Sequence, residues 1–220
     1  VLLGGGTAMI GDPSGKDKTR QMLSAEEIQH NLQCQKKLFG RFIDLDKAQV
    51  VDNGQWLLKL NYVSFLRDIG KHFSVNRMLA ASGAQQRLER GQGYSLIEFN
   101  YHLCQSYDYL VLQKQYDCVL QCGGDDQWFN ILGGVDLVRR ESGTVVHGLT
   151  VPLVLTSEGK KMGKTEKGAV WLDADRVTPY DYYQYWVNVS DPDVIKMMKL
   201  YTTIGLEKIN TYAKLEGADI

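Results

Sequence analysis

The sequence predicts an α/β protein with a largely parallel sheet, and three observations carry that prediction. Short apolar runs at 1–3, 49–52, 118–122 and 151–155 alternate with longer stretches of helical periodicity. Two of these runs empty directly into glycine-rich turns, at 4–15 and at Gly123-Gly124. The remaining chain, a stretch at 62–90 and a tail after 178, reads as a helical insertion and a helical C-terminal extension of that core.

Residues 1–3 read as a strand entering its turn. Ser24 followed by Glu27 has the form of a capping box, in which a hydroxyl and a carboxylate each satisfy the other residue's orphan N–H. The helix it opens runs to about Phe42, with Ile28, Leu32, Leu38, Phe39 and Phe42 on one side. A short strand at 49–52 follows, then the helical stretch 62–90, with Gly70 and Gly83 as breaks. From Glu98 a further helix carries Tyr101, Gln105 and Asp108 at spacings of four and three, hence on one face, with Phe99, Leu103 and Leu110 opposite. The strand 118–122 runs into GGDDQW, where Asp125 or Asp126 is expected to cap a helix bearing Trp128, Ile131, Leu132, Val135 and Val138. A strand at 151–155, a Lys- and Gly-rich loop at 156–168 and a short extended piece at 170–172 come next. Thr178-Pro179 and Asp191-Pro192 each start a helix, with Pro in the first turn where its missing N–H costs nothing. The expected domains are 1–175 and the start of a helical domain at 176–220.

Composition narrows the function classes. At 220 residues and 44% hydrophobic, the chain can bury a core without staples. A net charge of −1 excludes a general basic field for nucleic acid, so any RNA contact must be local. Cys34, Cys104, Cys118 and Cys122 form no C-x-x-C pair and have no histidine at ligand spacing, which disfavours a disulfide framework or a zinc site. Reduced, buried thiols in a cytosolic compartment are expected. No apolar run reaches membrane-span length and no signal peptide is seen. The chain opens in mid-strand without Met, so a fragment is expected.

Four features bear on chemistry. The turn GGGTAMIGDPSGK misses both glycine-rich nucleotide fingerprints: Met9 breaks G-x-G-x-x-G, and the P-loop spacing is one residue short, with Asp17 in the magnesium position. It still displays Thr7 and Asp12; Asp12 is suited either to a ligand ammonium or simply to turning the chain before Pro13. Lys160, Lys161, Lys164 and Lys167 among Gly159, Gly163 and Gly168 can wrap a polyphosphate, although a solvated loop has the same composition. The Tyr101, Gln105 and Asp108 stripe carries no Lys or Glu, unlike an ordinary surface helix face. In GGDDQW, a Gly pair at a strand end precedes acidic and amide groups, so Asp126 can serve either ribose hydroxyls or a helix N-cap.

Together these residues resemble a family. GDPSGK with Asp12, FLRDIGKHFSVN at 65–76, the Tyr101/Gln105/Asp108 stripe, GGDDQWFNI at 123–131, KMGKT at 161–165, GAVWLD at 168–173 and TPYDYYQYW at 178–186 are similar, in order and over nearly the whole chain, to bacterial-type tyrosyl-tRNA synthetases. KMGKT resembles the KMSKS loop of class I synthetases, and GGDDQW resembles G-G-S-D-Q-W with Asp125 in place of Ser. The resemblance implies a Rossmann-like catalytic domain. It implies that Tyr101, Gln105 and Asp12 bind the amino end of substrate tyrosine and that Asp108 accepts from its phenol, with Gln121 and Thr7 in the same pocket. It further implies that Gly123, Asp126 and Gln127 meet the ribose and the activated carboxyl, and that Lys161, Lys164 and Thr165 hold the departing pyrophosphate, with Lys16 and Arg20 nearby. Asn53 and Trp56 match positions near the tyrosine pocket.

The implied reaction is attack of the tyrosine carboxylate on the α-phosphorus of ATP, which carries Mg2+, then transfer to tRNA(Tyr). Positioning and charge stabilisation suffice for it, without a protein nucleophile. Rejection of phenylalanine follows from leaving Asp108 unpaired, a discrimination of which this family is itself the standing example. A homodimer contacting through 62–90 and a bacterial cytoplasmic location are also implied, with an organelle left open. The family's HIGH motif and its C-terminal RNA-binding part are not in the chain, so the stretch alone is expected not to catalyse adenylation. Two other readings stand beside the ligase: a noncatalytic synthetase-like RNA-binding scaffold, and the related tryptophanyl-tRNA synthetase.

Overall fold

The computed structural model describes residues 1–10, 23–80, 85, 88–89, 91, 95–155 and 170–215. They fall into two compact units, Val1–Pro152 and Leu153–Ile220. Elements are numbered over the described residues.

In the first unit, β1 (Leu2–Leu3) and β2 (Val51–Asp52) are parallel, with Leu2 opposite Val51 and Leu3 opposite Asp52. Parallel strands need a long connection, and α1 (Ala25–Phe39) lies within it. Its capping box forms as expected: Ser24 Oγ accepts from Glu27 N at 3.2 Å and Glu27 Oε2 accepts from Ser24 N at 2.8 Å. The helix stops at Gly40 rather than near Phe42, which sits exposed in a turn closed by Phe42 N donating to Phe39 O. Only Ile28 of its apolar side is buried, so the long stripe expected there is a half-exposed face.

The second strand pair, β3 (Leu120–Gly124) and β4 (His147–Val151), is also parallel, with Leu120 opposite His147 and Gly124 opposite Val151. Helix α6 (Trp128–Ser142) connects the two strands. Two expected strands are corrected here. The run at 118–122 pairs only from Leu120. The run at 151–155 pairs upstream, over His147–Val151, and ends where Pro152 has no N–H to donate. The expected carboxylate cap is also absent: a 3-10 turn at Asp125–Gln127 leads straight into α6, whose N-cap is Gln127. Gly143, at φ 68°, closes α6 by donating to Arg139 O at 3.1 Å. No strand forms at 170–172, where Trp171 instead lies 4.5 Å beneath the Arg176 guanidinium.

Between the strand pairs in sequence come α2 (Gly54–Leu57), α3 (Tyr62–Asp68), a 3-10 turn at Gly70–His72, α4 (Val75–Leu79) and the long α5 (Leu96–Tyr116). Gly70 breaks the helical stretch as expected; Gly83 lies outside the described residues. Helix α5 is buried on both sides. Leu103 and Leu110 join Phe65, Ile69, Met78, Leu137, Val138 and Val146 in the core, while Tyr101 and Asp108 on the other face are also shielded. A solvated surface helix is therefore excluded for the Tyr101, Gln105 and Asp108 stripe. Helices α5 and α6 approach closely because Gly133 faces His102 and Ser106, where a Cβ would overlap both. Tyr109, wholly buried, donates its hydroxyl to His147 O at 2.7 Å and ties α5 to β4.

The second unit carries α7 (Pro179–Val187), α8 (Asp191–Tyr201) and α9 (Leu206–Tyr212). Thr178 caps α7 as expected, its Oγ1 accepting from Asp181 N at 3.1 Å. Trp186 gathers Tyr182, Tyr185 and Tyr201 at ring distances of 5.3–6.1 Å. The four cysteines are free thiols, but Cys34 and Cys122 are exposed and the other two half-buried, so the expectation of buried thiols fails. No helix of the described residues is long and apolar enough to cross a membrane.

Candidate active site

The site begins where β1 and β2 end. Asp52, the last residue of β2, accepts from Gly5 N at 3.0 Å and from Gly54 N at 2.8 Å. A Cβ on Gly5 would overlap that carboxylate, so the turn after β1 requires glycine there. The next residue, Asn53, accepts on Oδ1 from Gly6 N at 2.7 Å and Thr7 N at 3.4 Å. Its Nδ2 donates to Thr7 Oγ1 at 3.0 Å and to Asp108 Oδ2 at 2.8 Å. Trp56 Nε1 donates to Asp108 Oδ1 at 2.7 Å. One asparagine thus couples the loop of the first strand pair to the carboxylate on α5.

Asp108 is 1% exposed. Burial pushes its carboxyl up to about 7, against the N–H donors of Asn53 and Trp56, which pull it down, while the charge of Asp52 adds to the upward push. A carboxylate offers about four lone-pair sites, and two are used here. What remains is an oriented acceptor, dry enough to discriminate strongly between ligands that do and do not donate to it.

A second polar group lies further along the same helix. Gln105 Nε2 and Asn130 Nδ2 both donate to Gln127 Oε1, each at 3.2 Å. Asn130 Oδ1 faces His102 Nδ1 at 3.2 Å. Gln105 Oε1 and Gln121 Oε1, the latter on β3, are buried and have no hydrogen-bond partner among the described residues. Buried acceptors left without donors are costly, and both stand ready for a ligand's N–H or O–H groups. Gly123 lets the backbone of β3 come close to this cluster: a Cβ there would lie 3.1 Å from Ile131 Cδ1 and 3.2 Å from Gln127 Cβ. Asp126 stands exposed at the strand end. Tyr101 is buried one turn before Gln105.

The structure therefore brings Thr7 and Asp108 together through Asn53, and Gln105 together with Gln127. Thr7 is itself buried, with its hydroxyl engaged by Asn53 and by Gly4 O. Asp12, Lys16, Arg20, Lys161, Lys164 and Thr165 lie outside the described residues. Sequence reasoning noted Asn53 and Trp56 without a role; both turn out to orient Asp108. It missed Asp52, which shapes the glycine turn, and the pair His102 and Asn130. No local signal marks that pair, because a lone His inside a helix and an Asn beyond a strand end are unremarkable by themselves. Among the described residues no three His, Cys, Asp or Glu side chains gather to hold a metal ion.

Parallel strands whose ends present glycine turns, amides and a dry carboxylate form an α/β ligand-binding domain of the nucleotide-handling kind. The chain belongs to the class I tRNA synthetases of the W and Y group, whose family model matches residues 1–220. It is 59% identical to the tyrosine–tRNA ligase of Acetivibrio thermocellus and 53% identical to that of Clostridium botulinum, covering 100% of this chain and 54% of each relative. The chain thus spans about half the length of these curated relatives. Among solved structures, it is similar to a C-terminally truncated mitochondrial tyrosyl-tRNA synthetase of Aspergillus nidulans (TM-score 0.76, 28% identity, 97% of this chain and 64% of that one). A tryptophanyl-tRNA synthetase of Campylobacter jejuni shares the fold at TM-score 0.61 and 14% identity, covering 100% of this chain and 69% of that one.

Proposed function

We propose that the full-length protein carrying this chain is a tyrosine–tRNA ligase, which activates tyrosine with ATP and transfers it to tRNA(Tyr). The observation that carries the reading is Asp108, a buried carboxylate with each oxygen oriented by an N–H donor and lone pairs left over. Such a group suits a phenol O–H, and a bare phenyl ring would leave it without that donor. The names of the relatives at 53–59% identity support the same reading.

In this proposal Asp108 receives the phenol, while Tyr101, Gln105 and Asp12 take the ammonium. Gln121 lines the pocket, and Thr7 supports it through Asn53. Gln127 meets the carboxylate that attacks the α-phosphorus, Asp126 the ribose, and Gly123 lets the nucleotide approach the β3 backbone. Lys161, Lys164, Thr165, Lys16 and Arg20 stabilise charge on the departing pyrophosphate. ATP arrives with Mg2+ as part of the substrate. Catalysis is then positioning plus electrostatics, with no protein nucleophile.

Residues 1–175 belong in this reading to the catalytic domain, and 176 onward begins a helical one. The protein is a homodimer through 62–90, where Tyr62, Val63, Leu66 and Val75 leave apolar side chains exposed. It works in the bacterial cytoplasm. The test is charging: the full-length protein should attach labelled tyrosine to a bacterial tRNA(Tyr) transcript. Binding of that tRNA without any charging would instead indicate a noncatalytic scaffold.

A further inference from the structure

We infer that His102 and Asn130 are positioning residues of the amino-acid site: through one directed chain of hydrogen bonds they hold the Gln105 amide with its carbonyl oxygen turned to the substrate's ammonium group. The inference rests on the proposed function and deepens it.

An amide side chain can sit either way round, and each way exchanges donor for acceptor. For Gln105 the choice is made by Gln127 Oε1, which already takes an N–H from Asn130 Nδ2 at 3.2 Å and takes another from Gln105 Nε2 at 3.2 Å. Turning Gln105 over would set its oxygen against that oxygen. Turning Gln127 over would set its amide nitrogen against two other donors. Asn130 is fixed in turn by His102, whose Nδ1 lies 3.2 Å from Asn130 Oδ1 and must therefore donate. The imidazole's proton and the direction of the chain go together: with Nδ1 as the donor, every link runs from an N–H to a carbonyl oxygen.

The imidazole end is well held. The His102 ring stacks on Phe129 at 4.1 Å and meets Phe73 edge-on at 5.5 Å. His102 and Asn130 are 8% and 7% exposed. Burial lowers the imidazole's pKa to about 4, so the ring is neutral near pH 7 and carries one proton. The other ring nitrogen, Nε2, has no hydrogen-bond partner among the described residues. It faces Gly133, where a Cβ would come within 2.6 Å, and both residues line a cavity of about 230 Å³ walled by Phe73, Met78 and Leu132 and also by Arg77, Asp136 and Arg140. A proton on Nε2 would leave two acceptors, His102 Nδ1 and Asn130 Oδ1, facing each other out of water. The proton belongs on Nδ1, and the chain then runs His102 to Asn130 to Gln127, with Gln105 completing the acceptor. The consequence is a Gln105 Oε1 that is buried, unpaired and aimed as an acceptor. That is the group an ammonium needs and a neutral or anionic substrate end does not.

Two measurements test this on the full-length protein. Nitrogen-15 NMR of the His102 imidazole should show a protonated Nδ1 and a bare Nε2; the opposite tautomer overturns the inference whether or not the protein binds tyrosine. Binding of L-tyrosine is then compared with binding of 3-(4-hydroxyphenyl)propanoate, which lacks the amino group. His102→Phe keeps the ring stacking and loses the donor. It should weaken tyrosine about tenfold, the scale of one hydrogen bond to a charged group, and leave the deamino compound within about twofold. His102→Asn, whose Nδ2 falls near the position of the imidazole Nδ1, should restore most of the loss, with thermal melts showing all variants folded. Equal losses for both compounds, or none for tyrosine, would overturn it. Failure of the wild type to bind tyrosine would count against the ligase assignment instead, while the tautomer still decides the hydrogen-bond chain.

Discussion

Replacing Trp56 by Phe isolates one of the two N–H groups that keep Asp108 ionisable. Trp56 Nε1 lies 2.7 Å from Oδ1, and Asn53 Nδ2 lies 2.8 Å from Oδ2. Burial already holds the carboxyl at about 7 despite both donors. A hydrogen bond to a charged group contributes ~1.5–3 kcal/mol, and one pKa unit corresponds to about 1.36 kcal/mol. Losing the indole donor should therefore raise Asp108 by about one to two units. The sign follows from the acceptor role: a phenol donates best to the carboxylate, so tyrosine recognition strengthens as pH rises through the carboxyl's pKa. The assay is kcat/KM for tyrosine in ATP–pyrophosphate exchange, from pH 6 to 9.5, with full-length wild type and W56F. The wild type should show a limb near pH 7, and W56F should show it displaced upward by about one to two units. Packing lost with the larger ring lowers the curve at every pH and does not move the limb. A limb that stays in place, or moves down, would refute the claim that Trp56 tunes this carboxylate.

Other outcomes follow from the same geometry. Asp108 binds a proton in the folded state between about pH 4 and 7 that the unfolded chain has released, so its contribution to stability is full below about pH 4 and is lost as pH rises through 7, by up to ~4 kcal/mol. Urea melts across this window should show that slope in the wild type and not in Asp108→Asn, whatever the variant's absolute stability. Asp108→Ala should collapse the tyrosine-to-phenylalanine ratio of kcat/KM, and an unchanged ratio would mean that the hydroxyl is read elsewhere. Gly133→Ala forces a methyl against His102 and Ser106 and should destabilise by ~1–3 kcal/mol in denaturant melts. Ser24→Ala removes the hydroxyl half of a formed capping box at an exposed helix start, leaving the backbone N–H to Glu27, and should cost ~1 kcal/mol in the same assay, with exchange activity unchanged.

What the sequence revealed and concealed divides along physical lines. Local chemistry was legible: the Ser24/Glu27 box, the Thr178 cap and the break at Gly70 all depend on neighbours within a few residues, and all form. Periodicity placed Tyr101, Gln105 and Asp108 on one face of α5, but it could not tell a buried helix from a surface one, because both faces turn out to be shielded. Strand ends were misplaced where pairing decides them. Cys118 and Val119 are apolar enough for a strand, yet the ladder starts at Leu120 opposite His147. The site's central contact joins residues 52 and 55 positions apart in the chain, Trp56 and Asn53 with Asp108. No spacing rule reaches that far; the family resemblance put these residues near one pocket, and the fold then supplied their roles. His102 and Asn130 lay beyond both kinds of reasoning, since their meaning is a direction of hydrogen bonding that exists only once α5 and α6 are packed.

The central claim is that a dry, oriented Asp108 makes this a site for a hydroxylated aromatic amino acid. Its most direct test is ATP–pyrophosphate exchange by the full-length protein with tyrosine, phenylalanine and tryptophan offered separately at equal concentration. The account predicts rapid exchange with tyrosine and exchange with the other two lower by orders of magnitude. Exchange with tryptophan equal to that with tyrosine, or none with tyrosine, would contradict it.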